Sequence, residues 1–406
     1  MILKQTLREV VLSQRQELSS YDSGVQRLKL LSIELNSQYA TIISGIRRCG
    51  KSTLLKQILQ SIPNYYYLNF EDTRLTDFEP SDFNKLDDVF MEEFGSSDTY
   101  LLDEIQNVSE WEIFVRSRLD RGKKFVITGS NASLLSRELG TRLTGRHNNV
   151  ELFPFSYSEY LDFKKEKPSK INFQEYNEDG GFPIYLQYGK PEMLRQLLSD
   201  IVQRDIVARY NLRSSKIIME IALYLITNIG REFSYSNLAK RYYVGSTNTV
   251  ISFVSHLEDS YLLFTVQRFD FSLKKQQVSP RKVYSIDNGL ISTNSVSFSS
   301  NRGRMLENTV FLHLRRSYSE IFYFRKNREC DFLVREKNAI KMCIQVTFEL
   351  NDENKDREIA GLLEAIEEVK LKEGLIITYD QEDEFTQNDV RIKVRPAWKW
   401  IKEDFT

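Results

Sequence analysis

The chain predicts an α/β protein of several domains whose first domain is built on a parallel sheet, and three observations carry that expectation. Its 406 residues exceed the size at which one hydrophobic core keeps growing, and 41% apolar residues can fill a core in each of two or three domains. Over roughly the first 155 residues, short apolar or β-branched runs alternate with stretches of helical period. The run "SGIRRCGKSTLL", residues 44–55, joins the first such strand to the first such helix through a glycine-bounded turn.

Bulk composition excludes more than it assigns. The chain has 56 Lys plus Arg against 57 Asp plus Glu, so no net field marks it as a nucleic-acid or membrane binder, and any such role must come from local patches. Cys49, Cys330 and Cys343 form neither an even set nor a C-x-x-C pair, which fits a reducing compartment and argues against structural zinc or a disulfide framework. The three histidines are far apart and give no metal-ligand spacing. No apolar run is long enough to span a bilayer, and "MILKQTLREVVLSQRQ" lacks the order of a secretory signal. A cytoplasmic location and no membrane partner are expected.

The first module is expected over residues 1–155. "QYATIIS", Gln38 to Ser44, suits a buried strand, and "STLLKQILQSI" is a helix stopped at Pro63. Between them Gly45, Gly50, Lys51 and Ser52 satisfy G-x-x-x-x-G-K-[ST] in the strand–turn–helix context that the pattern demands. The loop Gly45, Ile46, Arg47, Arg48, Cys49, Gly50, Lys51, Ser52 and Thr53 is therefore expected to hold ATP. Its backbone N–H groups and the helix N-terminus would surround the phosphates, Lys51 would reach the outer ones, and Ser52 would ligate Mg²⁺. "TYLLDEIQNV" is a second buried strand tipped by Asp103, assigned to the metal, and Glu104, assigned to the attacking water. "KKFVITGSNASLL" is a third, whose end would bring Ser130 or Asn131 near the γ-phosphate. A strand inserted between the phosphate-loop strand and the metal-acid strand is expected. Arg47 and Arg48 are not required by phosphate binding. One is expected to pair with Glu71 or Asp72 in "YYYLNFEDTRL", the other to face a partner or the next domain.

Together with "GIRRCGKS", "LLDEIQ" and "ITGSN", the run "GRHNNVELFPFSYSEYL" resembles the AAA-type ATPases of bacteria and archaea that carry a C-terminal domain of unknown function. The resemblance implies that Arg146, in the "TGR" position, serves as a sensor or finger for the nucleotide, with Arg142 a second candidate. A surface arginine paired to a neighbouring acid, or one acting on another subunit, are the alternatives left open.

Residues 156–210 read as a helical connector: a polar stretch to about Tyr188 with prolines and a Gly-Gly turn, then a helix with apolar residues at helical spacing. In residues 211–282, "KIIMEIALYLITNIG", "SYSNLAKRYYV" and "GSTNTVISFVSHLEDSYLLFTVQRF" give three helices and a strand pair, the winged form of helix-turn-helix. Its third helix would present Ser246, Asn248, Thr249 and Ser252, flanked by Lys240, Arg241, Lys274 and Lys275. Contact with double-stranded DNA and packing against protein both remain open.

Residues 283–406 resemble a restriction-endonuclease-like α/β core, with Glu307 on a helix and Asp331 on a strand. Such a core needs an acid and a lysine on the next strand to hold Mg²⁺ and support the attacking water, but Gln345 and Thr347 stand there. Glu307, Asp331 and Gln345 thus read as a vestigial site, with Lys341 the one conceivable relocated lysine. Arg302, Arg304, Arg315 and Arg316 could add a local basic surface for phosphates.

The whole predicts a Mg²⁺-dependent ATPase whose nucleotide state controls a winged-helix and nuclease-like module. The alternatives are an ATP-dependent DNA-binding regulator or defence component with little hydrolysis, and a metal-dependent nuclease. Partner protein and oligomeric state stay open.

Overall fold

A computed structural model describes residues 1–20, 24–131, 143, 145–295 and 302–403. The chain forms two compact units, Met1–Phe153 and Pro154–Thr406.

Among the described residues of the first unit, β1 (Ala40–Ser44), β2 (Tyr66–Asn69), β3 (Thr99–Asp103), β4 (Lys124–Gly129) and β5 (His147–Glu151) form one sheet in the order β2-β3-β4-β1-β5. All four pairings are parallel. A parallel sheet is covered by helices on both faces, which is why β1 and β3 are apolar runs buried along their whole length rather than alternating ones. β4 lies between β1 and β3, so the inserted strand is Lys124–Gly129. Its register, Ser44 opposite Gly129 and Leu102 opposite Ile127, brings the carboxyl ends of β1, β3 and β4 to one edge. Ligands bind at that edge of open α/β sheets. The helix Lys51–Leu59 starts at the turn after β1 and buries Leu54, Leu55 and Ile58. An N-terminal helix, Lys4–Ser20, packs Leu7, Val10 and Val11 into the same core as Phe83, Leu86 and Phe90 of the helix Asp82–Phe94. Arg8 ties these two helices together through Glu92 and Glu93, each at 2.6 Å.

The second unit carries nine strands in one sheet among the described residues, in the order β13-β14-β12-β11-β10-β9-β7-β8-β6. One half begins with the helix Ser215–Thr227, followed by β6 (Glu232–Phe233), the helices Tyr235–Arg241 and Thr247–Asp259, then β7 (Leu263–Arg268) and β8 (Arg281–Ser285). β6 and β7 both pair antiparallel with β8. The helix Thr247–Asp259 buries Val250, Phe253, Val254 and Leu257 on one face. Its other face exposes Asn248, Thr249, Ile251 and Ser252, as the helical spacing requires.

The other half begins with the helix Arg302–Arg315, then β9 (Glu320–Arg325), β10 (Glu329–Glu336) and β11 (Ala339–Val346), which pair antiparallel in turn. The helix Lys355–Val369 then crosses over to β12 (Glu373–Thr378), parallel to β11. The sheet ends in β13 (Asp383–Gln387) and β14 (Val390–Pro396), before the helix Ala397–Glu403. β7 pairs parallel with β9, so the two halves share one sheet. The expected division between residues 282 and 283 falls inside β8.

Candidate functional site

The loop after β1 is shaped by what lies behind it. A Cβ on Gly45 would stand 2.1 Å from the Leu152 carbonyl oxygen, so only glycine lets the loop pass the end of β5. Gly50, with φ +103°, makes the left-handed turn into the helix, and a Cβ there would stand 2.8 Å from Nη1 of Arg27. Arg27 itself is 1% exposed. Its Nη1 donates to the Cys49 carbonyl and its Nη2 to the Phe153 carbonyl, both at 2.7 Å. Its own backbone N–H donates to Gln57 on the first helix at 3.0 Å. Cys49 is fully buried, its thiol donates to Leu152 O at 3.3 Å, and burial pushes its pKa up, so it packs as a small inert loop residue.

Lys51 is buried, and its ammonium donates to the carbonyls of Gly45 and Ile46 at 3.0 and 3.3 Å. The same Nζ lies 3.5 Å from Oε1 of Glu104. Ser52, the second residue of the helix, lies close enough to the Asp103 carboxylate to lower its pKa. The other Asp103 contacts are the Thr128 hydroxyl, which donates to Oδ1, and the Tyr67 hydroxyl at 3.5 Å from Oδ2. Thr128 does two jobs, since its oxygen also accepts from the Glu104 backbone N–H at 3.0 Å. Glu104 has φ 52°, a left-handed turn that swings its side chain off the line of β3, where Gln106 donates to it. Burial and the neighbouring Glu104 charge raise the Asp103 pKa. Burial would raise Glu104 too, but the Lys51 ammonium, the Gln106 bond and Arg47 hold it below the ordinary carboxylate value. Asn131 and Ser130 follow β4 and are buried, with Gln106 reaching Ser130 Oγ at 3.4 Å.

Most of the sequence-derived residues are thus gathered at one edge. Ile46 is buried within the loop and Thr53 half-buried in the first helical turn. Arg47 pairs with Glu71 at 3.1 Å, as expected for one of the two loop arginines, while Arg48 supplies a left-handed backbone turn at φ 64°. Arg146 does not reach its own loop and instead makes the alternative surface pairing with a neighbouring acid. It precedes β5, whose first residue pairs with Ala40 at the start of β1, whereas the phosphate loop leaves β1 at Ser44. It therefore stands at the opposite end of the sheet from its own loop, bound to Asp120 and to the Gln38 carbonyl. Arg142 lies outside the described residues. Arg27, Thr128 and Gln106 were missed: no motif carries them, and buried pairing with carbonyls leaves no periodic signal.

A second cluster lies in the other unit. Glu307, Asp331 and Gln345 do come together, around a lysine that the sequence did not single out. Lys282 on β8 is buried, with Nζ 2.7 Å from Glu329, 2.9 Å from Asp331 and 3.1 Å from Glu307. Burial would lower its pKa, but Asp331 and Glu307 outweigh that and hold the ammonium charged. Lys341 is not the relocated lysine: it sits on the exposed part of β11, paired with Glu336 at 3.1 Å and the Tyr318 hydroxyl at 3.2 Å. Thr347 turns its hydroxyl to the Glu349 carbonyl. Arg315 lies over the Phe264 ring and Arg316 donates to the Pro154 carbonyl. Cys330 and Cys343 are buried in the core between the sheet and the helix Lys355–Val369. Among the described residues no helix is long and apolar enough to cross a membrane.

The strand order and the loop between β1 and its helix define the first unit as an AAA-type P-loop ATPase domain. Residues 37–161 match the family model described as an AAA domain, and residues 170–300 and 302–400 match two domains of unknown function, DUF8612 and DUF4143. The chain is 35% identical to the uncharacterized protein MJ1544 of Methanocaldococcus jannaschii, over 98% of this chain and 96% of that protein. It is 31% identical to an uncharacterized protein of Haemophilus influenzae, over 78% and 84% of the two. The chain belongs to this family of AAA-domain proteins that carry two further domains of unknown function. Among solved structures, the Walker-type ATPase paby2304 of Pyrococcus abyssi is 15% identical with a TM-score of 0.39, covering 63% of this chain and 91% of that one.

Proposed function

We propose that the first unit binds ATP with Mg²⁺ and hydrolyses it. The observation that carries this reading is the convergence of Lys51, Ser52, Asp103 and Glu104 at one sheet edge, with Lys51 3.5 Å from Glu104 and Ser52 beside Asp103. Loop amides and Lys51 hold the phosphates. Ser52 and Asp103 fit a divalent cation: Asp103 is a fully buried carboxylate beside a second one, an excess of negative charge that a cation relieves. When bound, that ion supplies charge neutralisation at the phosphoryl oxygens. Glu104, kept ionised by Lys51, accepts a proton from the attacking water, and Asn131 positions the outer phosphate. The output passes along the chain: Arg27 bonds both the loop carbonyl of Cys49 and the carbonyl of Phe153, the last residue of the unit.

The second unit's element order supports a winged-helix half, with β6 and β7 flanking β8, and a nuclease-like half, built helix–three strands–helix–strand. In this reading the exposed Asn248, Thr249 and Ser252 face duplex DNA or a partner protein.

Phosphate release and binding of a fluorescent ATP analogue test the central claim. Lys51→Ala should abolish turnover and weaken binding, and Glu104→Gln should keep binding while slowing turnover by about 10²-fold or more. Wild-type turnover in Lys51→Ala would end the assignment. Gel retardation of duplex DNA with and without ATP, at stated salt, separates a DNA-binding output from a protein-binding one.

A further inference from the structure

We propose that the Lys282 ammonium is the resident cation of the second unit's acid cluster, standing where a divalent ion would otherwise be held, so that this unit neither takes up Mg²⁺ nor cleaves nucleic acid. The proposal rests on the nuclease-like reading of the second unit. Lys282 comes from β8, outside the block that carries Glu307, Asp331 and Gln345. An ammonium has three hydrogens, and here three carboxylates lie 2.7, 2.9 and 3.1 Å from the nitrogen, so each hydrogen has a partner. Carboxylates that share one nitrogen at those distances lie within about 6 Å of each other, so a small inward shift would bring them to the ~4–5 Å span of oxygens around a single divalent ion.

Neighbouring donors engage several of these groups further. The second Asp331 oxygen accepts from the Val346 backbone N–H at 2.9 Å. The Glu307 oxygen that faces Lys282, Oε1, also accepts from the Tyr284 hydroxyl at 2.7 Å. The Gln345 carbonyl accepts from the Asp331 N–H at 3.2 Å and its amide donates to Glu358 at 2.6 Å. Among the described residues no group of His, Cys, Asp and Glu is arranged to hold a metal ion. Access is not the obstacle, because a cavity of about 450 Å³ lined by Glu307, Glu329 and Asp331 opens on the cluster. The obstacle is charge: a divalent ion at the focus of these carboxylates would sit against an ammonium that, at 1% exposure, cannot swing into solvent. The third strand offers Thr347 where a nuclease-like core would have its lysine. The positive charge returned from β8, but in the ion's position.

Mn²⁺ is the probe, titrated into the full chain by paramagnetic resonance of the free ion, in an Asp103→Asn background that silences the first unit's metal acid. With Lys282 present we expect no saturable binding up to about 1 mM, and supercoiled plasmid left intact in Mn²⁺. Lys282→Ala should bind about one Mn²⁺ per chain and gain thermal stability with added Mn²⁺, while Lys282→Arg, which keeps the charge, should do neither. Saturable Mn²⁺ binding to the Lys282 protein that Asp331→Asn abolishes would overturn the proposal and leave the nuclease-like reading standing. A folded Lys282→Ala that gains no Mn²⁺ would overturn both. If Lys282→Ala does not fold, the titration of the Lys282 protein decides: binding that Asp331→Asn removes refutes the proposal, and its absence upholds it.

Discussion

Replacing Arg27 by methionine keeps most of the side-chain volume and removes every donor, so it isolates the two bonds that hold the phosphate loop from behind. Each is a charge-assisted hydrogen bond of 2.7 Å in a fully buried setting, the class that contributes about 1.5–3 kcal/mol. Two such bonds lost, with the carbonyls of Cys49 and Phe153 left without that donor, should cost about 3–6 kcal/mol. Partial relaxation and the methionine's own packing bring the expected net loss to about 3 kcal/mol. That loss falls on the first unit alone. In a Trp398→Phe, Trp400→Phe background Trp111, buried in the first unit's core, is the sole tryptophan and reports its urea unfolding directly. The same variant should bind an ATP analogue at least tenfold more weakly, about 1.4 kcal/mol, because a loosened loop must be ordered on binding. Arg27→Lys, which retains charge but not the two-pronged fork, should fall between. An unfolding free energy within about 1 kcal/mol of wild type, with unchanged nucleotide affinity, would show that the guanidinium is not what holds the loop.

Thr128→Val removes both the donor to Asp103 and the acceptor for the Glu104 backbone N–H from a fully buried position. It should destabilise the first unit by about 1–3 kcal/mol and lower turnover more than nucleotide affinity, because it frees the two acids rather than the loop; a change confined to affinity would contradict the placement. In the second unit, His313 is packed against Trp400 and burial, with Arg316 nearby, holds its pKa down at about 3. A depressed folded-state pKa means that the stabilisation is present above the unfolded value of about 6.5 and is lost as pH falls toward 3. Between pH 6.5 and pH 5 this amounts to about 2 kcal/mol. Denaturation of His313→Phe across that range should show a pH slope smaller by that amount, and an unchanged slope would mean that the imidazole is not kept neutral.

The phosphate site was legible in the sequence because its parts are contiguous. A strand, a glycine turn and a helix within residues 38–62 carry the spacing and context the motif needs, and an acid pair ending an apolar run falls at the strand's tip. The outward face of Thr247–Asp259 followed from the same local rules.

What the chain alone could not decide depends on which distant segments meet. The resemblance to AAA-type ATPases makes Arg146, in the "TGR" position, a candidate nucleotide arginine, yet sheet register puts it at the far end of β1 from its own loop. β13 and β14 carry the mixed charge of a surface segment; β14 pairs with the edge of β12, and β13 pairs in turn with β14. Arg27 reaches a loop 22 residues later and a carbonyl 126 residues later, and Lys282 reaches acids 25, 47 and 49 residues away. A buried charge is tolerated only where its partners converge in space. Local sequence therefore determined the cradle and its two acids, while tertiary pairing alone chose the cations that brace that cradle and fill the second unit's cluster.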